Sequence, residues 1–199
     1  MKTASCRFCA NCSRCPYSLT LLSDGMYQKM KIRILSSAPA LVGIFSVHNA
    51  EEIGYMQDHL PVSPQLLARV GLMPEDYAPR NMAVGTGLIT VTAAGILCAP
   101  FRNRAVGIAQ VGAAGALAVN ALAHVGRALR EKRYNPGLAT APVMLFSSLN
   151  YISRIRRELG MTRMTVGWTT LGAGVLSFPI IIGYLRLARW VIGARAWGK

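Results

Sequence analysis

Charge is scarce in this chain: 15% of its 199 residues are Asp, Glu, Lys or Arg, where soluble domains carry about a quarter. Acidic side chains are scarcer still, 8 against 22 basic ones. So few charges cannot cover the outside of a water-soluble domain of this length, which excludes one. No base-reading module is present either, so the net charge of +14 does not signal a nucleic-acid partner. No secretory signal peptide is evident either, and the first apolar segment reads as too polar at its far end for a cleaved one.

What the chain has instead is apolar residues, 52% of the total with a mean hydropathy of +0.34. They gather in five segments, 34–56, 82–101, 105–129, 138–152 and 164–190. An apolar helix of about 20 residues spans the hydrocarbon layer. The pattern therefore predicts an all-α, polytopic membrane bundle of about five transmembrane helices over residues 33–199, with 138–152 the shortest and most polar. Arg102-Asn103-Arg104 is all that separates the second and third segments, which predicts a tight antiparallel hairpin.

The basic residues lie at segment ends: Lys29, Lys31 and Arg33, then Arg102 and Arg104, Arg127 to Arg133, and Arg154, Arg156 and Arg157. This suits anchoring in an anionic headgroup layer, with the bilayer as the principal partner. Alternate loops divide the Lys and Arg twelve against ten, which sets no orientation. The stretch 61–79 holds Pro61, Pro64, Pro74 and Pro79 and reads as a loop, with one short helix over 64–70 capped by Ser63. Small residues, among them Gly85, Gly107, Gly112, Ala113, Ala116 and Gly174, let helices approach closely in lipid. Pro179 should bend the last helix.

Residues 1–32 form a separate, cysteine-bearing tail. Cys6, Cys9, Cys12 and Cys15 are spaced C-x2-C-x2-C-x2-C before Pro16, one residue short of a ferredoxin iron–sulfur spacing, and four thiolates also suit zinc. The competing reading is a disordered segment, or one upstream of a true start at Met26 or Met30. Cys98, inside a span, reads as a packing residue.

Ionisable side chains at membrane depth are costly unless paired, and so mark function. His48-Asn49-Ala50-Glu51-Glu52 places His48, Glu51 and Glu52 at i, i+3 and i+4, on one helix face. Two adjacent carboxylates call for a positive partner: a metal ion, a protonated histidine or an arginine. Asn120 and His124, at i and i+4, share a face of the third segment. Glu51 follows Arg33 by 18 residues and His124 follows Arg104 by 20. Those are roughly 27 and 30 Å of helix, so the two motifs reach similar depth. One crossing separates the segments, so they run the same way and can bring the five residues together.

The order HNAEE, NALAH and then Tyr134-Asn135-Pro136-Gly137 resembles the HXXEE-motif family of small prokaryotic membrane proteins. That family carries an H-x-x-E-E motif, a further histidine and a Y-x-P-G motif. The resemblance runs from about residue 34 into the fifth segment and leaves the cysteine tail outside it. It implies that His48, Glu51, Glu52, His124 and the turn with Tyr134, Pro136 and Gly137 form the site, in a multi-pass protein of the prokaryotic cell membrane. The family has no characterised reaction, and none is implied.

Three chemistries fit these residues. In the first, His48, Glu52 and His124 bind a divalent metal, zinc or iron, and Glu51 is the general base of a hydrolase or other enzyme acting on a lipid-like substrate; the catalytic residues are then Glu51, His48 and His124. In the second, a histidine and a carboxylate shuttle protons without a metal, as in an isomerase. In the third, the chain is a proton- or cation-coupled carrier, or a bundle whose charges merely pair. Of the remaining residues, Arg127, Arg130, Lys132 and Arg133 read as headgroup anchors or as holders of a phosphate-bearing substrate. Asp58 and His59 read as solvated. Asn150 and Tyr151 either complete the polar pocket or bond a neighbouring helix.

Overall fold

The protein is described by a computed structural model covering residues 37–100 and 103–196. The chain divides into two units, Met1–Ile34 and Leu35–Lys199, and the described residues all belong to the second. Cys6, Cys9, Cys12 and Cys15 lie outside the described residues, as do Phe101 and Arg102 of the expected hairpin.

Among the described residues there are six α-helices and no strand: α1 Ala38–Tyr55, α2 Pro64–Arg69, α3 Pro79–Leu97, α4 Arg104–Glu131, α5 Ala141–Leu159 and α6 Arg163–Ala196. A 3₁₀ turn, Pro74–Tyr77, precedes α3. Local chemistry sets the starts. Ser37 Oγ accepts from Ala40 N at 3.3 Å, Ser63 Oγ from Leu66 N at 3.4 Å, and Asn103 Oδ1 from Val106 N at 3.0 Å. Each bond satisfies a backbone donor that the first helical turn leaves unpaired. Proline opens α1, α2, α3 and α5, where its missing N–H costs nothing.

The long helix α4 packs on α5, α6 and α3, while α1 packs on α3 and α5. Leu41 and Phe45 of α1, Val111, Ala114 and Ala121 of α4, and Met144, Tyr151 and Ile155 of α5 share one core. The approach of α4 to α6 rests on Gly115, where a Cβ would lie 2.8–3.0 Å from Thr170 atoms, one of them the Cα.

Each of the five apolar segments carries one long helix, and two of these helices are apolar and long enough to cross a membrane: Arg104–Glu131, and α6 over Arg163–Gly193. The other three are shorter, with 18, 19 and 19 residues. The fourth segment differs most from expectation. Its helix runs on through Arg154, Arg156, Arg157 and Glu158 and is amphipathic, burying Ala141, Met144, Ser148, Tyr151 and Ile155 at helical spacing. Pro179 sits within α6, which continues through it.

The proline-rich stretch carries the expected short helix and is fastened to the bundle by arginines. Arg127 donates to His59 O at 3.1 Å and Leu60 O at 2.9 Å, and Arg186 to Val70 O at 2.8 Å. Arg189 Nη1 meets the buried Asp76 Oδ2 at 2.9 Å. Arg127, Arg130 and Arg133 also converge on Glu131. These side chains clamp the chain's own polar groups, a task their position at a helix end did not reveal. This loop and the C-terminal end of α1 lie on the same side of the bundle as the C-terminal end of α4 and the start of α5.

Candidate metal centre

The site is built at that end. α1 contributes His48, fully buried, and one turn later Glu52, 9% exposed. α4 contributes His124, also 9% exposed. Glu52 Oε1 lies 3.6 Å from His48 Nε2 and 3.0 Å from His124 Nε2. The two imidazoles meet edge to face with centroids 4.9 Å apart. One ligand atom from each of the three residues falls within 4.8 Å of the others. A tetrahedral ion bonded at about 2.0–2.1 Å holds its ligands about 3.3 Å apart, a spacing that the two Glu52–imidazole distances of 3.6 and 3.0 Å bracket.

The hydrogen bonds behind the rings are specific. Asn135 Nδ2 donates to the His124 carbonyl at 3.0 Å, which turns Asn135 Oδ1 toward His124 Nδ1 at 2.9 Å. An oxygen there must accept, so His124 carries a hydrogen on Nδ1 and turns Nε2 to the Glu52 carboxylate. Two electron pairs 3.0 Å apart require a cation between them, either a proton or a metal ion. His48 is held from both sides, with Nδ1 2.7 Å from Thr140 Oγ1 and Nε2 3.0 Å from Asn120 Nδ2. Thus His48, Glu52, Asn120 and His124, separated by up to 76 residues, lie together.

Residues 40–151 match the sequence model of a family described as "Protein of unknown function with HXXEE motif". The chain belongs to the HXXEE family. The match covers more than half of the 199 residues and every residue of the site. No curated protein matches the chain, and no solved structure matches it.

The two glutamates of the HXXEE motif part company. Glu52 faces the histidines, whereas Glu51 turns to the loop between α4 and α5. Its Oε1 accepts from the Tyr134 hydroxyl and from Ala139 N at 3.1 Å. Its Oε2 accepts from Thr140 N at 3.2 Å and Thr140 Oγ1 at 2.8 Å. Four donors are thus in place on this carboxylate and tie α1 to the loop. Partial burial of the Tyr134 phenol, together with the Glu51 carboxylate it donates to, pushes its pKa up to about 12.

The same loop roofs the centre. Pro136 is fully buried, and Gly137 has φ +90°. A Cβ on Gly137 would lie 2.7 Å from Cε1 of both His48 and His124, so only glycine lets the backbone rest on the two rings. Asn49, between the histidine and the glutamates, bonds Thr90 Oγ1 at 2.8 Å and ties α1 to α3.

Sequence reasoning passed over Thr140, the Ala139 amide and the clamping role of Asn135. Asn135 stood inside the turn that begins at Tyr134. Thr140 had no local signal, since its role depends on where the loop returns. Asn150 and Tyr151 stay out of the centre: Asn150 bonds Phe146 O of its own helix at 2.8 Å, and Tyr151 donates to Leu97 O on α3 at 3.0 Å. Asp58 is exposed, and His59 takes part through its carbonyl, which accepts from Arg127.

Proposed function

We propose that this HXXEE protein is a multi-pass membrane protein in which His48, Glu52 and His124 hold a divalent metal, zinc or iron, for an enzymatic reaction on a lipid-like substrate. The observation that carries the metal reading is His124 Nε2 lying 3.0 Å from Glu52 Oε1 beside His48, with the other ring nitrogen held by Asn135. A metal-ligating imidazole regularly donates its other N–H to an oxygen in this way. A bound divalent ion would supply a Lewis acid and lower the pKa of a coordinated water. The protein's own residues orient the donors and, through the 134–140 loop, screen the centre from bulk water.

The bilayer reading is supported by the outward faces. Met164, Trp168, Val175, Phe178 and Trp190 on α6 are each 65% exposed or more. Trp168 and Trp190 stand 22 residues apart, roughly 33 Å along a helix and close to the hydrocarbon thickness; tryptophan favours both interfaces. The other long helices also turn large apolar residues outward, including Val47, Val91, Leu122 and Phe146. Surfaces of this kind suit lipid on all sides, and a lipid-like substrate would reach the centre between helices.

Metal analysis of the detergent-purified protein tests the reading. A stoichiometric divalent ion is expected in the wild type and should be lost in His48→Ala and His124→Ala. Wild-type protein devoid of metal after purification in metal-supplemented buffer would overturn it. A proton between His124 and Glu52 meets the same electrostatic demand, so that result would favour metal-free acid–base chemistry. A proton-dependent flux in liposomes would favour a carrier.

A further inference from the structure

The HXXEE motif has two carboxylates and the candidate metal centre uses one. The hydrogen-bond directions around the other account for it. Glu51 can only accept, and Thr140 Oγ1 lies 2.8 Å from its Oε2. The competing acceptor for the Thr140 hydroxyl, Gly137 O, is farther at 3.3 Å and uncharged. A hydroxyl has one hydrogen, and the nearer, charged partner takes it. The Thr140 lone pairs then face His48 Nδ1 at 2.7 Å. The only arrangement that makes this a hydrogen bond puts the hydrogen on Nδ1. His48 Nε2, on the far side of the ring, then carries no hydrogen and lies 3.6 Å from Glu52 Oε1.

We infer that Glu51 and Thr140 are positioning residues for His48: the Glu51 carboxylate orients the Thr140 hydroxyl, and Thr140 in turn holds His48 as its Nδ1–H tautomer with Nε2 free to ligate. The inference rests on the metal reading for its purpose but not for its geometry. Tyr134 and the amides of Ala139 and Thr140 belong to the same device, because they hold the carboxylate that sets the direction of the chain. Asn120 Nδ2 lies 3.0 Å from His48 Nε2 and favours the same tautomer. A metal ion taking that nitrogen would displace Asn120, leaving Thr140 as the polar side chain that holds the ring. The division of labour explains why the motif needs adjacent carboxylates. On one helix, residue i+4 from His48 reaches the imidazoles while residue i+3 reaches the loop that crosses them.

The test uses full-length protein in detergent with ¹⁵N-labelled histidine, comparing wild type, Thr140→Val, Thr140→Ser and Glu51→Gln. Circular dichroism checks that the helices are retained. In metal-free wild type, His48 should show a protonated Nδ1 and an unprotonated Nε2. Thr140→Val should move both shifts toward the average of two tautomers, and Thr140→Ser, which keeps the hydroxyl, should restore them. Metal affinity should fall roughly 10–100-fold in Thr140→Val and Glu51→Gln, as for other partners behind a ligand, and recover in Thr140→Ser. A wild type with the hydrogen on Nε2, or His48 shifts unchanged in Thr140→Val, would overturn the inference. The expected tautomer pattern in a protein that never binds metal would sink the metal reading alone and leave this assignment standing.

Discussion

His124 is bound at both ring nitrogens, with Nε2 3.0 Å from Glu52 Oε1 and Nδ1 2.9 Å from Asn135 Oδ1. The first contact offers a ligand pair and the second orients it. Glu52→Gln is therefore expected to cost more metal affinity than Asn135→Leu, which should lose roughly 10–100-fold. Competition with a chelator of known strength measures both. Equal affinity in wild type and Asn135→Leu would show that the Asn135 bonds are structural only.

Gly137 touches both imidazoles with its backbone at φ +90°. Alanine there combines an unfavourable backbone conformation, about 1–3 kcal/mol, with a Cβ that would sit 2.7 Å from two ring carbons. Gly137→Ala should lower the melting temperature in detergent and weaken metal binding together, because the loop must lift from the rings. An unchanged melting temperature would mean the loop does not rest on them.

Two glycines of α4 should respond oppositely to alanine. At Gly115 the new methyl would meet Thr170 of α6 within 3.0 Å, backbone included, whereas at Gly126 nothing lies within 4 Å. Overpacking predicts a loss of about 1–3 kcal/mol for Gly115→Ala. Gly126→Ala should be neutral or gain up to about 1 kcal/mol from helix propensity. Thermal or denaturant unfolding of the two variants side by side decides this.

The Tyr134 latch carries a pH signature. Its pKa is raised from 10.0 to about 12, so folding favours the protonated phenol. The sign follows by linkage: the latch's contribution is complete below the unfolded value of 10.0 and fades as pH rises through about 12. Proteolytic protection of the 132–140 loop should weaken more over that window in wild type than in Tyr134→Phe. Tyr77, also raised to about 12, is present in both proteins and cancels in the comparison.

Much of the site was legible one residue at a time. His48, Glu52, Asn120 and His124 stand out because ionisable and amide groups are costly among apolar neighbours, and their helical spacing and matched depth indicated convergence. The roles of Glu51, Asn135 and Thr140 were not legible. Glu51 and Glu52 are chemically identical neighbours, and only the direction in which each leaves α1, one toward the returning loop and the other toward α4, tells them apart.

By itself, the sequence determined the all-α architecture, the short helix capped by Ser63, and the family, since these rest on local capping, proline placement, hydropathy and motif order. Tertiary structure decided that 138–152 opens an amphipathic helix, that Arg127 clamps the His59 and Leu60 carbonyls, and that one carboxylate faces the imidazoles while the other holds the loop. The physical reason is shared. Capping and hydropathy act within a few residues of the chain, whereas the direction of a hydrogen bond depends on which distant group arrives opposite it.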